Sequence, residues 1–204
     1  MANNPLLPHR HCVLLPVKDF DEAKERLVPL MDAAERRDLA IHLANGVVQA
    51  ATPIPVAVVC DNEQVSTWAD TLGAQVIWAP GKGLNVAVEH GIHVLAEQGF
   101  SWITVSHADL PFPNQLTSLP NFEGVTLVPD RHHDGTNVIK LPAGVHFKFS
   151  YGKGSFERHL AEAKAQGLEV SVVEHPQLSI DIDSPEDVSF VRAQTRQWGP
   201  EGPH

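Results

Sequence analysis

The sequence is poor in cysteine and in positive charge. Its 204 residues include two cysteines, and 15 Lys and Arg stand against 25 Asp and Glu, a formal net charge of −10 with neutral histidines. The two cysteines, Cys12 and Cys60, lie in apolar strand-like runs, which argues against a disulfide framework and against a thiolate metal site. The scarcity of cations excludes a broad nucleic-acid-binding surface.

Long hydrophobic runs are missing as well. No segment approaches the roughly 18 consecutive apolar residues of a membrane helix, and residues 1–10 lack the apolar stretch of a signal peptide. Because 43% of the residues are hydrophobic, the chain can still bury a substantial core. We therefore expect a soluble, cytoplasmic protein with one domain over residues 1–204 and frayed ends at about 1–10 and 194–204. No feature of the sequence indicates an oligomeric state.

What is present is an alternation of strand-like and helix-like segments. Residues 11–17 predict a buried strand, and Asp32 with Glu35 forms the capping pattern of a long helix that Pro53 and Pro55 bring to an end. The strand at 56–60 is followed by further segments that predict helices at 64–72 and 85–98 and strands at 75–79 and 102–106. Such a βαβα series builds a doubly wound sheet.

The second half is less regular. Short strands are predicted at 125–128, 137–141, 147–149, 168–173 and 178–182, with a helix at 155–166 that Ser155 caps and a last helix that begins at Pro185. Polar turns that contain glycine separate the first three of these strands, which indicates an antiparallel or mixed portion. The sequence predicts an α/β fold of three layers, αβα and Rossmann-like, around a mixed, mainly parallel sheet.

The usual glycine-rich phosphate loops are absent after the first strand. Neither G-x-G-x-x-G nor G-x-x-x-x-G-K-[ST] occurs there, which disfavours a Rossmann dehydrogenase and a P-loop enzyme. The loop instead carries Lys18, Lys24 and Arg26, either as a phosphate site or as a solvated loop with local ion pairs. Two glycine turns that lead into helices, at 81–85 and 151–155, provide backbone amides for an anion or simply connect elements.

Carboxylates mark the ends of two predicted strands. Asp109 follows the strand at 102–106, and the period of two along 178–182 places Asp181 and Asp183 on one face. Because like charges on one face repel, a divalent cation with oxygen ligands, favouring Mg²⁺, would resolve the repulsion. The alternative is that Asp183 or Ser184 caps the last helix, which leaves Asp181 as the stronger ligand.

The 12 histidines offer a second metal hypothesis. His90 and His93 have helical spacing, and His132 and His133 adjoin Asp134, but neither pair has a third placed ligand for zinc. Solvated surface histidines are the favoured interpretation.

A set of short motifs runs from the first strand to the last helix: Pro16-Val-Lys18, Ala23-Lys24-Glu-Arg26-Leu27, Gly83-Leu-Asn85, Ala108-Asp109-Leu-Pro111, Pro129-Asp-Arg131, Gly135-Thr136-Asn137, Gly152-x-x-Ser155, Arg158-His159 and Asp181-Ile-Asp183-Ser-Pro-Glu-Asp187. Taken together, these motifs resemble a known family, the phospholactate guanylyltransferases of coenzyme F(420) biosynthesis. The resemblance implies a nucleotidyltransferase (GT-A-like) fold. It also implies transfer of GMP from GTP to phosphoenolpyruvate or 2-phospho-L-lactate, or to 3-phosphoglycerate, with release of pyrophosphate.

The resemblance also implies roles for individual residues. Asp109 and Asp181 would hold Mg²⁺ with Asp183 close by, and Lys18, Lys24 and Asp109 would be catalytic. The remaining implied residues face the substrates: Arg26, Gly83 and Asn85 on the side of GTP, and Thr136, Gly152 and Ser155 around the acceptor acid. The partners implied are small molecules, with no nucleic acid and no membrane.

Three alternatives stay open. The first is a nucleotidyltransferase of the same fold but of the cytidylyl or molybdenum-cofactor type. Such an enzyme would be expected to have a loop of the Leu-Ala-Gly-Gly type after the first strand, whereas this chain has Pro16-Val-Lys-Asp-Phe-Asp21 there. A non-catalytic nucleotide-binding domain would be expected to lose its metal carboxylates, and a histidine-based metallohydrolase would require zinc.

Overall fold

The computed structural model describes residues 10–120 and 122–198, with the side chains of residues 197 and 198 left aside. The strands in this part of the chain are β1 (His11–Pro16), β2 (Val56–Cys60), β3 (Gln75–Trp78), β4 (Trp102–Ser106), β5 (Val125–Pro129), β6 (Thr136–Pro142) and β7 (Val170–Val172). The α-helices are α1 (Ala33–Ala50), α2 (Glu63–Thr71), α3 (Leu84–Glu97), α4 (Ser155–Ala165) and α5 (Pro185–Trp198). Short 3-10 turns lie at Glu25–Leu27 and Pro113–Ser118.

The strands form a mixed sheet in the order β3-β2-β1-β4-β6-β5-β7. β1 is parallel to both β2 and β4, β2 is parallel to β3, and β5 is parallel to β7, whereas β6 is antiparallel to β4 and β5. The predicted mixed, mainly parallel sheet is confirmed. Because β1 and β4 are parallel neighbours, the loops after them meet at one edge of the sheet.

Helices cover both faces of the sheet. Ala44 and Val47 of α1 and Val65 of α2 pack on one face, and Val88 of α3 and Phe156 of α4 pack on the other. Since both faces are covered, the central strands are buried along nearly their whole length rather than at alternate residues, as β4 and β5 show. The three-layer αβα arrangement follows from this placement.

Two predicted strands are wrong. Residues 147–149 lie outside the sheet, and the Phe149 N–H donates to Glu89 Oε1 on α3 at 3.1 Å instead of to a strand. Residues 178–182 form a turn and an extended stretch, and the Ile182 N–H donates to the carbonyl oxygen of Asp109 at 3.3 Å. Both runs are apolar because they are buried, and short apolar runs do not distinguish a strand from a packed loop.

The helix ends differ in detail from the prediction. Asp32 and Glu35 make the predicted capping box of α1, whereas Gly154, not Ser155, is the N-cap of α4. α5 continues to Trp198, so residues 194–198 are helical where a frayed end was expected, and residues 1–9 and 199–204 lie outside the described part. Among the described helices, each is too short or too polar to cross a membrane.

Candidate active site

The site is built where the loops after β1 and β4 meet. Asp109 follows β4, and Lys24 reaches it from the loop after β1, with its Nζ 2.5 Å from Asp109 Oδ2 and 3.0 Å from Asp183 Oδ1. The Lys24 side chain is only 7% exposed. Its backbone is left-handed, with φ at 59°, a conformation that a non-glycine residue adopts at a cost and that marks many functional sites.

The three aspartates predicted as ligands come together. Asp109, Asp181 and Asp183 each offer a carboxylate oxygen, and these atoms lie within 4.8 Å of one another. Burial and the charges of Asp109 and Asp183 raise the pKa of Asp181 to about 7. Burial acts in the same direction on Asp109, but the Lys24 ammonium, together with His107 and the hydrogen bonds that the carboxylate accepts, outweighs burial and lowers the pKa of Asp109.

The donor set fits a divalent cation such as Mg²⁺. Asp109 Oδ1 is a buried oxygen without a hydrogen-bond partner, although its neighbour Oδ2 is bound by Lys24. An orphaned carboxylate oxygen is costly unless a ligand uses it, and hard oxygen atoms are the ligands that Mg²⁺ prefers. Lys24 supplies one positive charge beside three carboxylates, so a further cation would be needed to balance the charge of the cluster.

The structure excludes the capping role that the sequence offered for Asp183. Ser184 Oγ accepts the Asp187 N–H at 3.3 Å, and Asp187 Oδ2 accepts the Ser184 N–H at 2.8 Å. These bonds make Ser184 the N-cap of α5, with Asp187 closing a capping box. The Asp183 carboxylate is therefore free of the cap and binds Lys24. Arg131, which belongs to the family motif Pro129-Asp-Arg131, forms an ion pair with Asp187 at 2.5 Å and holds this turn.

Sequence reasoning did not single out Asn137 as a site residue. It is buried on β6, and its Nδ2 donates to the carbonyl oxygen of Leu178 at 3.0 Å and to Asp181 Oδ1 at 3.4 Å. Its own carbonyl oxygen accepts the His107 N–H. Asn137 thus ties the Asp181 segment to the strand end beside Asp109. The only available signal was its place in the Gly135-Thr136-Asn137 motif.

The cations predicted to face GTP have different surroundings. A cavity of about 530 Å³ lies between residues 16–25 and 107–109, and both Lys18 and Lys24 line it. Lys18 is exposed and makes a surface pair with Glu22 at 3.4 Å. Arg26 is exposed on the 3-10 turn, and its side chain makes no hydrogen bond or ion pair with the residues the structure describes. Only Lys24 is held against the carboxylates.

Gly83 and Asn85 begin α3. Gly83 is the N-cap, and Asn85 Oδ1 accepts the Tyr151 N–H at 2.7 Å. Asn85 therefore anchors the loop before α4, a contact that the prediction of a GTP-facing side chain did not include.

The predicted acceptor residues meet at the start of α4. Thr136 on β6 and Ser155 on α4 are buried, and their hydroxyl oxygens are 3.5 Å apart. Gly152 is exposed, with φ at 111°, a backbone conformation that favours glycine. A ligand can reach the exposed backbone of Gly152 and Lys153 directly, while the two hydroxyl groups lie beneath the surface and the Gly154 N–H donates to Asp134 Oδ1 at 3.1 Å.

Arg158 and His159 hold the loop at residues 150–154 from two sides. The Arg158 guanidinium donates to the carbonyl oxygens of Ser150 and Gly152, and also to that of Lys153 at 2.6 Å. Arg158 is thus a structural cation rather than one left free for a ligand.

His159 is fully buried and joins the same loop to β6. Its Nε2 accepts the Ser150 N–H at 2.9 Å, and its Nδ1 is 3.0 Å from Thr136 Oγ1. Because a backbone N–H can only donate, Nε2 is the acceptor, and Nδ1 carries the proton and donates it to Thr136. Burial lowers the pKa of His159 to about 4, so the ring is neutral at pH 7.

The histidine pairs do not form a metal site in the described part of the chain. His93 pairs with Glu97 at 3.4 Å and His133 with Glu174 at 3.3 Å, both on the surface. Among the residues the structure describes, the three aspartates are the one group of three or more His, Cys, Asp or Glu placed to share an ion.

The family model and two relatives that the chain matches all describe guanylyltransferases. Residues 11–193 match the family model "Guanylyl transferase CofC like". A phosphoenolpyruvate guanylyltransferase of Rubrobacter xylanophilus is 35% identical over 189 residues, which cover 88% of this chain and 92% of that protein. A 2-phospho-L-lactate guanylyltransferase of Methanocaldococcus jannaschii is 25% identical over 88% of this chain and 81% of that protein.

The fold is also similar to solved structures. A crystal structure from Desulfovibrio desulfuricans, described as that of a nucleotide-diphospho-sugar transferase, superposes with a TM-score of 0.74 at 14% identity, over 93% of this chain and 89% of that one. At this identity the likeness concerns the fold alone, and it agrees with the predicted nucleotidyltransferase architecture.

Proposed function

The chain belongs to the CofC-like guanylyl transferase family, and on that premise we propose that it transfers GMP from GTP to a phosphorylated three-carbon acid in coenzyme F(420) biosynthesis. The observation that carries the proposal is the cluster of Asp109, Asp181 and Asp183 around Lys24 at the carboxyl edge of the parallel strands. This is the edge where open α/β sheets bind their ligands.

The chemistry needs positioning and charge neutralisation more than acid–base groups. A phosphate oxygen of the acid attacks the α-phosphorus of GTP in line, and the bond from that phosphorus to the oxygen of the β-phosphate breaks. Pyrophosphate leaves with the bonding electron pair. Because the attacking phosphate is already ionised, no general base is required, and His107, whose Nδ1 is 3.8 Å from Asp109 Oδ1, needs no acid–base role.

We assign one group of residues to Mg²⁺ and GTP and a second group to the acceptor acid. Asp109, Asp181 and Asp183 would hold Mg²⁺, which when bound neutralises phosphate charge. Lys24 and Lys18 line the cavity beside Asp109 and bind the triphosphate, and Arg26, exposed on the 3-10 turn that follows Lys24, is assigned to the same substrate. The exposed backbone of Gly152 and Lys153, just before the N-terminus of α4, receives the acidic acceptor, whereas the Gly154 N–H already donates to Asp134 Oδ1 at 3.1 Å.

Phosphoenolpyruvate is the acceptor we propose first. The R. xylanophilus relative that bears this name is more similar to the chain than the M. jannaschii relative named for 2-phospho-L-lactate, at 35% against 25% identity. 2-Phospho-L-lactate is the second candidate and 3-phosphoglycerate the third. All three present a phosphate and a carboxylate on a three-carbon skeleton.

The proposal is tested by pyrophosphate release. Purified protein with GTP, Mg²⁺ and each of the three acids in turn is expected to release pyrophosphate with at least one, and kcat/KM ranks the acids. A parallel arm with CTP separates a cytidylyl enzyme of the same fold. Release with none of the acids from either nucleotide would remove the transferase proposal and favour a non-catalytic nucleotide-binding domain.

A second prediction concerns His159. His159→Phe keeps a ring of similar size but leaves the Ser150 N–H and the Thr136 hydroxyl without their partners. Because this releases the loop that faces the acceptor, we expect KM for the acid to rise about tenfold with KM for GTP unchanged, and the midpoint of thermal unfolding to fall. Steady-state kinetics with each substrate varied separately measures the split.

His11 provides the matched control. Its Nε2 is 2.8 Å from Thr104 Oγ1, and burial lowers its pKa to about 4 as well, but it lies at the opposite end of β1 from the site. His11→Phe is expected to lower thermal stability with both KM values unchanged. Equal effects of the two variants on KM for the acid would assign His159 a purely structural role.

A further inference from the structure

A second cavity adjoins the one beside Lys24 and Asp109. It has a volume of about 410 Å³ and lies at the ends of β1, β2 and β3, with walls that are mostly apolar: Pro16, Val17, Val59, Ala79, Leu84 and Ala87. Pro16, Val17, Lys18 and Leu84 line both cavities, so the two lie side by side. A ligand whose charged end lies at Lys24 can extend an uncharged, flat group into the second cavity.

One carboxylate in this apolar cavity is unpaired. Asp61 follows β2 and is half-buried, and its carboxylate makes no hydrogen bond or ion pair with any residue that the structure describes. Its polar neighbours are already bound: Asn62 Oδ1 caps α2, and Asn62 Nδ2 donates to Asp19 Oδ2 at 2.9 Å. The half-buried Asp61 carboxylate is therefore available in this cavity to accept hydrogen bonds from a ligand.

We propose that this cavity holds the guanine base of the nucleotide and that Asp61 selects it by accepting hydrogen bonds from N1–H and from the N2 amino group. This inference rests on the proposed function for the identity of the nucleotide. Guanine presents two adjacent donors, which match the two oxygens of one carboxylate. Adenine and cytosine present a ring-nitrogen acceptor beside their amino group, which would face the carboxylate with a lone pair.

The position of the cavity supports a base rather than another group. Leu84 is 46% exposed at the start of α3, an apolar surface that a flat ring can cover. Lys18 and Lys82 line the same cavity and are exposed, which places cations where the O6 of guanine or a phosphate can reach them. Apolar walls with a few polar groups are the usual composition of a site for a small molecule.

Asp61→Asn tests the assignment by exchanging the preferred base. An asparagine offers one acceptor and one donor, which suits the N1–H and the C2 carbonyl of xanthine and mismatches the N2 amino group of guanine. Isothermal titration with Mg²⁺ present is expected to show wild-type protein binding GTP about 100-fold more tightly than XTP, and Asp61→Asn reversing that order. A variant that keeps the preference for GTP would overturn the proposal.

Asp70→Asn is the matched control. Both Asp61 and Asp70 act on the thiol of Cys60, where their charges raise its pKa together with burial, but Asp70 is exposed on α2 and does not line the cavity. It is expected to keep the preference for GTP. If Asp70→Asn lost that preference as fully as Asp61→Asn, the effect would come from long-range electrostatics. That result would overturn the proposal that Asp61 hydrogen-bonds to guanine.

A measurement on the unaltered protein covers the case in which Asp61→Asn does not fold. ITP lacks the N2 amino group, so wild-type protein is expected to bind it about tenfold more weakly than GTP, and equal affinity would overturn the proposal. The binding measurements test the base site, and pyrophosphate release tests the proposed function, so the two proposals can fail independently. Protein that binds GTP with this selectivity but releases no pyrophosphate would refute the proposed function and leave the base site standing.

Discussion

Asp109→Asn is expected to lower kcat/KM for GTP by about 100- to 1000-fold or more while the protein remains folded. The amide has nearly the same volume as the carboxylate, but it removes the charge that binds Lys24 at 2.5 Å and replaces one oxygen by an NH₂ group. The buried Oδ1 that has no hydrogen-bond partner is the atom we expect a cation to use. Loss of either oxygen removes a ligand from the centre of the cluster.

Pyrophosphate release and thermal unfolding together measure this effect, with Asp187→Asn as the comparison. Asp187 lies in the same region, but its carboxylate caps α5 and pairs with Arg131. Its loss should cost about 1–2 kcal/mol in the free energy of unfolding and lower turnover much less than Asp109→Asn. A protein with asparagine at position 109 that kept more than a tenth of the wild-type rate would show that Asp109 is not at the reaction centre.

The sequence predicted the position of the carboxylates for a reason that the structure only partly supports. Asp109 was placed correctly because a buried strand delivers it to the carboxyl edge of the sheet. Asp181 and Asp183 were placed on one face by the period of a strand, yet residues 178–182 pair with no strand. The alternation persists because Ile180 and Ile182 are buried in a loop, so burial rather than hydrogen bonding in a sheet orients the two aspartates.

The roles of the individual cations could not be predicted from the sequence. Arg131 and Arg158 stand in the right motifs, but the structure uses one to hold the turn before α5 and the other to hold the carbonyl groups of residues 150–153. Which cation stays free depends on contacts between segments that are far apart in the chain. Lys24 and Asp183, for example, form an ion pair although they are 159 positions apart in the sequence. Local patterns contain no information of this kind.

The charge of the site also differs from that of the whole chain. A net charge of −10 is unfavourable for two anionic substrates, and the nearest buried cation, Lys24, is neutralised by Asp109 and Asp183. The cluster therefore has negative charge left over before any metal binds. Binding of GTP should depend on Mg²⁺ for this reason, because a metal ion would change the sign of the local field.

Lys24→Met is expected to separate metal binding from turnover by moving them in opposite directions. The Lys24 ammonium binds the same carboxylates that we expect to hold Mg²⁺, so its removal should tighten Mg²⁺ binding about tenfold in the absence of nucleotide. Turnover should fall about 100-fold or more, since the cation nearest to the triphosphate is lost. Titration calorimetry with Mg²⁺ and pyrophosphate release measure the two quantities on the same preparation.

The stability of the same variant provides the decisive contrast. Without Lys24, three neighbouring carboxylates have no buried cation, so metal-free protein should unfold at a lower temperature than wild type, and Mg²⁺ should restore more of that loss than it adds to wild type. Lys18→Met, which removes an exposed lysine paired only with Glu22, should leave Mg²⁺ affinity unchanged. If Lys24→Met bound Mg²⁺ more weakly and turned over normally, Lys24 would be a structural ion pair, and the metal would have to bind elsewhere.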